Sequence, residues 1–326
     1  MLNNKEIFLT GGTGSFGKNF IQSTLQKYNP KKITIYSRDE MKQWDLRNKI
    51  KSKKLKFIIG DVRDKDQVRR AMSGHDVVIH AAATKIVPLA EENPSECIKT
   101  NVIGALNVID ACIENNVKHT VALSTDKASN PINLYGASKL ASDKLFVSAN
   151  YEARNKISKF CVVRYGNVIT SRGSVIPFFK SLSGNTYPIT DLRMTRFMIT
   201  LKVSVEMVWT ALRETHGGEI FVKKTPSMKI ADIAKAINKN AKFKIIGIRP
   251  GEKLHEQLVG QDDAYFTYDF GGYFKIISPL ASKNKINQII KNGKKVDKNF
   301  IYSSESNDHF LSSNELSSII SNIIIE

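Results

Sequence analysis

Short apolar runs alternate with stretches of helical spacing through the first half of the chain, the order of a doubly wound parallel α/β sheet. Ile7-Phe8-Leu9, Ile33-Thr34-Ile35-Tyr36, Phe57-Ile58-Ile59, Val77-Val78-Ile79, Val121-Ala122-Leu123 and Phe160-Cys161-Val162-Val163 predict six successive strands. Between the fourth and fifth, Val102, Leu106, Ile109 and Ile113 recur at helical spacing, as a crossover helix facing the sheet requires.

From Gly166 the pattern loosens. Gly173, Pro177, Gly184 and Pro188 predict irregular segments, followed by a helix over 203–212 and a strand at Glu219-Ile220-Phe221-Val222 that returns to the main sheet. Ile230, Ile233, Ala234 and Ile237 make one helix face, and 243–248 reads as a further strand. The expected division is a Rossmann-type NADP-binding domain over 1–167, rejoined by 203–225, and a smaller interleaved α/β substrate domain over 168–202 and 226–281. The Lys/Asn/Ser-rich stretch 282–326 reads as a peripheral extension ending in an amphipathic helix with Ile319-Ile320 and Ile323-Ile324-Ile325.

Composition narrows the class. Three widely spaced cysteines without a Cys-x-x-Cys pair predict a reduced, cytoplasmic setting, no disulfide framework and no metal site. No apolar run approaches the ~20 residues that cross a bilayer, so no membrane partner is expected. The net charge of +18 invites nucleic acid as a partner. The lysines are nevertheless spread along the chain with few aromatics among them, which reads as a solvated basic surface and no nucleic-acid role.

The first strand leads into Thr10-Gly11-Gly12-Thr13-Gly14-Ser15-Phe16-Gly17. Glycines directly after a first strand and opening a helix allow close approach of a pyrophosphate to the backbone and to the helix amino end. Gly11, Thr13, Gly14, Ser15, Phe16 and Gly17 are therefore candidate cofactor contacts. The second strand ends in Tyr36-Ser37-Arg38-Asp39, with Lys42 beyond. Arg38 can stack on adenine and pair with a 2′-phosphate that Ser37 also meets, which favours NADP, while Asp39 is the acidic residue an NAD site would use. Asp61 and Val62 at the end of strand three are placed for the adenine edge, and Ala81, Ala82 and Ala83 leave room for a ribose and nicotinamide.

Catalytic candidates cluster in Ser124-Thr125-Asp126-Lys127 and Tyr135-Gly136-Ala137-Ser138-Lys139. Tyr135 and Lys139, four apart, share a helix face where the ammonium can lower the phenol's pKa, making Tyr135 the acid/base for an alcohol and Lys139 the holder of the nicotinamide ribose. Thr125 can hydrogen-bond the same hydroxyl. Asp126 and Lys127 exceed the needs of simple hydride transfer. A lysine whose pKa burial has lowered is a base and a carboxylic acid a proton donor for elimination of water, although the two residues can equally form a local ion pair.

These stretches resemble the extended short-chain dehydrogenase/reductases, and within them the inverting UDP-N-acetylglucosamine 4,6-dehydratases that open pseudaminic acid biosynthesis. The resemblance also runs through Gly60-Asp-Val-Arg-Asp64, Val163-Arg-Tyr-Gly-Asn167, Ser171-Arg-Gly-Ser-Val175, Ile189-Thr-Asp191, Arg193-Met-Thr-Arg-Phe197 and Ile248-Arg-Pro-Gly-Glu-Lys-Leu-His-Glu256. Retaining 4,6-dehydratases place Glu where this chain has Lys127, and larger membrane-anchored relatives place Met where it has Tyr135. Ile86 replaces the family's usual His between Lys85 and Pro88. The resemblance implies UDP-N-acetylglucosamine as substrate and NADP as a regenerated cofactor. It also implies a dimer-based homo-oligomer, and substrate contacts from Lys85, Asn167, Thr190, Arg193, Met194, Arg249 and Glu252. His255 and Glu256 resemble a metal pair only superficially.

Overall fold

The computed structural model describes residues 1–153, 157–169 and 174–321. Its centre is a ten-stranded sheet. Six strands, β1 (Glu6–Thr10), β2 (Lys32–Ser37), β3 (Leu55–Ile59), β4 (Val77–His80), β5 (His119–Thr125) and β6 (Lys159–Tyr165), lie in the spatial order 3-2-1-4-5-6, all parallel. The strand Glu219–Lys223 continues the sheet parallel to β6, as its apolar run predicts. This order reverses between β1 and β4, so the carboxyl ends of those strands open a crevice where such sheets take their ligands.

The central strands are buried on both faces because helices cover both, which is why they read as continuous apolar runs. One face carries Phe8, Val78, Val108, Cys112, Phe146 and Phe160, and the other Ile7, Leu9, Phe20, Ile33, Val121 and Trp209. Cys97, Cys112 and Cys161 are free, buried thiols. No helix among the described residues is long and apolar enough to cross a membrane.

The crossover helix Gly104–Glu114 forms, but its buried face differs from the expected one. Ala105, Val108, Ile109 and Cys112 face the core, whereas Leu106 is 36% exposed. The preceding turn, Lys99–Ile103, is π-helical. Ile109 is buried and Ile113 packs partly against the same core, so two of the expected positions meet the sheet.

The second half divides otherwise than its composition suggests. Thr267–Asp269 and Tyr273–Ile277, within the stretch expected to serve the substrate domain, add antiparallel strands to the large sheet beyond Glu219–Lys223. Within 282–326, Lys294–Lys295 pairs at the edge of that sheet, Tyr302–Ser303 pairs with Gln257–Val259, and helix Ser313–Ser321 packs on helix Ile230–Ile237. Leu316 and Ile320 are thereby buried in the smaller core, with Ile176, Tyr187, Ile189 and Ile233. Polar composition hid these pairings, because a two- or three-residue strand needs only backbone hydrogen bonds to join a sheet. The expected 243–248 strand is Lys242–Ile245, parallel to Thr186–Ile189. Residues 171–173 and 323–325, singled out above, lie outside the described residues.

Candidate active site

The crevice at the carboxyl ends of the parallel strands is a single cleft of about 1150 Å³ that continues under the smaller core. Its dinucleotide end is lined by Gly11, Thr13, Gly14, Ser15, Phe16 and Gly17, by Ser37, Arg38, Asp39 and Lys42, by Asp61 and Val62, and by Ala81 and Ala82. Every cofactor candidate read from the sequence is thus brought to one wall.

The local chemistry fits a dinucleotide. Helix α1 (Ser15–Lys27) starts at Gly14 with no side-chain cap and no acidic residue in its first turn, so its first N–H groups are left for an anion. A Cβ on Gly17 would lie 2.4 Å from the Gly12 carbonyl oxygen, so only glycine lets α1 sit this close to the loop. At the end of β2, Asp39 is spent on its own helix. One carboxylate oxygen accepts from the Lys42 N–H at 2.9 Å and the other from the Lys42 ammonium at 2.5 Å, and these bonds hold its pKa below the usual range. Asp61 pairs with Arg63 at 2.6 Å; burial would raise its carboxyl, but Arg63, aided by the charge of Arg38, holds it low.

The catalytic end is assembled on two adjoining pieces. β5 ends at Thr125 and passes into a single 3₁₀ turn, Asp126–Ala128, followed by helix Leu134–Glu152. Asn133 caps that helix by accepting from the Gly136 N–H at 2.7 Å, and its amide donates to the Gly251 carbonyl at 2.7 Å. A Cβ on Gly136 would lie 2.3 Å from the Lys127 carbonyl oxygen. The glycine after Tyr135 is therefore what lets the helix press Tyr135 against the Asp126-Lys127 turn.

Tyr135, Lys139 and Asp143 share the buried face of the helix, as their spacing requires. The pairing expected to lower the Tyr135 pKa is not what the structure shows. Burial pushes the phenol up to about 12, and the groups pulling it down are the Lys127 ammonium and the Thr125 hydroxyl. Lys139 is 3% exposed; burial draws its ammonium below the usual lysine range, against the charge of Asp143. Asp143 in turn accepts from the Ser124 hydroxyl at 2.8 Å and from the buried Arg164 at 3.2 Å.

Of the two readings open for Asp126 and Lys127, the structure shows the local ion pair and not a lysine with a lowered pKa. Burial alone would lower its pKa, but the carboxylates of Asp126 and Glu256 outweigh burial and hold it above the usual lysine value. Its Nζ lies 3.0 Å from Asp126 Oδ1 and 3.1 Å from Glu256 Oε1. Asp126 Oδ1 also accepts from the Thr125 hydroxyl at 2.9 Å, while Asp126 Oδ2 and Glu256 Oε2 are buried without a hydrogen-bond partner.

Of the substrate candidates, Lys85, Asn167, Thr190, Met194, Arg249 and Glu252 line the cleft. Asn167 Oδ1 is buried there without a partner, and Arg249 holds Glu252 at 2.7 Å. Arg193 stands apart. Its side chain is 73% exposed, pairs with Asp191 at 2.8 Å and is not among the lining residues. The arginine that does enter is Arg196, three residues on and 6% exposed, 3.7 Å from Glu252 and 3.8 Å from Glu256. Nothing local marks Arg196 for the cleft, and Glu256 stands out in the sequence only beside His255, although both fall within stretches that resemble the family. His255 bonds Thr195 at 2.7 Å and turns away from Glu256 toward Glu305. Ile86 lines the cleft and is about half exposed.

Known proteins carry the same arrangement of sequence and fold. The chain is 54% identical over 98% of both chains to a protein of Campylobacter jejuni named UDP-N-acetylglucosamine 4,6-dehydratase (inverting). It is 44% identical, over 91% of this chain and 89% of the relative, to one of Rickettsia canadensis named UDP-glucose 4-epimerase. The structure of Pen from Bacillus thuringiensis superposes with a TM-score of 0.91 at 36% identity, covering 99% of this chain and 98% of that one. The family model described as polysaccharide biosynthesis protein matches residues 7–278. On its glycine loop, its sheet and its Tyr-Lys helix, the chain belongs to that family of extended short-chain dehydrogenase/reductases.

Proposed function

We propose that the protein is an NADP-dependent UDP-N-acetylglucosamine 4,6-dehydratase that inverts carbon 5. The observation that carries this reading is the Asp126–Lys127 pair pressed against Tyr135 in the cleft. Transfer of one proton across the 3.0 Å contact turns ammonium and carboxylate into a neutral amine and a carboxylic acid, with no change in net charge. Those are the base and the acid that loss of water requires. The Campylobacter relative bears the name of this activity.

The loop 11–17 and residues Ser37, Arg38, Lys42, Asp61, Val62, Ala81 and Ala82 would hold the dinucleotide, which supplies the acceptor and later the donor of hydride. Asp39 is engaged by Lys42, while Arg38 remains on the cleft wall for a 2′-phosphate, which supports NADP over NAD. Tyr135, as the phenolate that the Lys127 ammonium and the Thr125 hydroxyl favour, takes the proton of the carbon 4 hydroxyl as that carbon becomes a ketone, and Lys139 positions the ribose. The ketone acidifies carbon 5. Neutral Lys127 removes its proton, and protonated Asp126 gives its own to the carbon 6 hydroxyl, which departs as water. Protonation of carbon 5 on the opposite face, by a proton drawn from solvent, would give the inverted 4-keto-6-deoxy sugar. This product is the entry to pseudaminic acid, made in the cytoplasm by an enzyme that the family resemblance assigns to a dimer-based homo-oligomer.

The relative named as an epimerase supports a second reading, 4-epimerisation. Incubation with UDP-N-acetylglucosamine in deuterium oxide, followed by NMR, separates the two. The expected product lacks the carbon 6 hydroxyl and carries deuterium at an inverted carbon 5. A 4-epimer with its carbon 6 hydroxyl intact would overturn the dehydratase reading, and retained configuration would overturn inversion.

A further inference from the structure

Glu256 is a cleft carboxylate that the mechanism above does not use, and its superficial likeness to a metal pair gives it no role, since His255 bonds Thr195 and faces Glu305. It is 1% exposed, at the end of the stretch that leads into the strand Gln257–Val259. Its backbone is clamped on both sides: the Glu256 N–H donates to the Ser304 hydroxyl at 2.9 Å, and the Ser304 N–H donates to the Glu256 carbonyl at 2.8 Å. One carboxylate oxygen meets Lys127 at 3.1 Å, and the other has no hydrogen-bond partner. Burying a carboxylate with an oxygen left unsatisfied is costly, so a purely structural ion pair is a poor account of the arrangement.

We propose that Glu256 is a positioning residue for Lys127, holding its ammonium opposite Asp126 and setting the pH at which the neutral amine becomes available for elimination. The inference rests on Lys127 being the base. Lys127 sits between two carboxylates, and a proton moved to Asp126 leaves the amine still facing the negative charge of Glu256. That charge opposes loss of the ammonium proton, whether to Asp126 or to solvent, and makes the amine a stronger base once it is formed. The other charged groups on this cluster come from three elements. Arg196 and Lys253 face Glu256 at 3.8 and 4.0 Å, Glu252 faces Arg196 at 3.7 Å, and Tyr135 feels both Lys127 and Asp126. Arg196 and Lys253 thus partly offset Glu256, and Glu252 offsets Arg196.

The test is the pH dependence of kcat for 4-keto-6-deoxy product, with bound dinucleotide and thermal unfolding as checks on the fold. In Glu256→Gln the rising limb should move down by roughly one pH unit or more, the effect of removing an opposite charge at this distance. The plateau should fall while KM for the UDP-sugar changes little. Lys253→Met removes a cation from the same cluster and should move the limb up. Glu256→Asp keeps the charge but shortens its reach, and should lower the plateau with the limb near its wild-type position. A folded Glu256→Gln enzyme with an unmoved limb overturns the proposal. Should that variant fail to fold, an unmoved or lowered limb in Lys253→Met overturns it instead. Lys127→Met separates the two readings: normal turnover there removes Lys127 as base, whereas lost turnover with an unmoved Glu256→Gln limb removes only the role of Glu256.

Discussion

At the end of the cleft proposed for the dinucleotide, the lining comes from a single glycine loop, the ends of β2 and β3 and three successive alanines, with the uncapped first turn of one helix beside them. Around Asp126 and Lys127, Lys127 meets Glu256 and Glu256 meets Arg196, both from segments remote in the chain, and the groups that matter are charges. The first half works by shape and by backbone N–H groups, whose directions are set as soon as strand, loop and helix form. The second works by a balance of buried charges, where each partner alters the protonation of the others. One half tolerates little change in volume; the other tolerates little change in charge.

The largest effects should come where the two halves meet. Tyr135→Phe and Lys127→Met should each lower product formation by at least about a hundredfold, the scale of general acid–base contributions. They should differ in what accumulates. Lys127→Met keeps Tyr135 but loses the ammonium that favours its phenolate, so reduced nicotinamide should still build up on adding the UDP-sugar, slowly and more at high pH, whereas in Tyr135→Phe it should not. Equal absence of reduced cofactor in both would break the division of labour.

A smaller effect should separate the cofactors. Arg38→Ser should weaken NADP by about tenfold, the loss expected for charge-assisted contacts to a phosphate, while leaving NAD nearly unchanged. Titration of each dinucleotide measures this, and equal loss for both would remove Arg38 as the reader of the 2′-phosphate. The smallest effect should be that of Arg193→Ala. Its pair with Asp191 is exposed, and such pairs contribute little, so KM for the UDP-sugar should change less than about threefold. A change of tenfold or more would show that this side chain swings into the cleft when the sugar binds.

Much of this was legible because it is local. The six strands stand where the apolar runs put them, within a residue or two. The helical spacing of Tyr135 and Lys139 placed both on a buried face. The phase of the crossover helix was legible only in part: Ile109 and Ile113 meet the core, but the small Ala105 and Cys112 carry that face where Leu106 was expected. Nor were the short strands of the last third, whose pairing is carried by backbone groups common to all residues.

By itself, the sequence determined the alternation of strand and helix, the glycine loop, the Tyr-Lys pair and the presence of Asp126 beside Lys127, because each depends on neighbours within a turn or two of chain. Only the tertiary structure decided the charge state those residues work in. It brought Glu256 to Lys127 and Arg196 to Glu256, turned Arg193 away, and made the Lys127 ammonium, rather than Lys139, the cation that acts on Tyr135. A pKa is set by what surrounds a group in space and by how deeply it is buried, and neither can be counted along the chain.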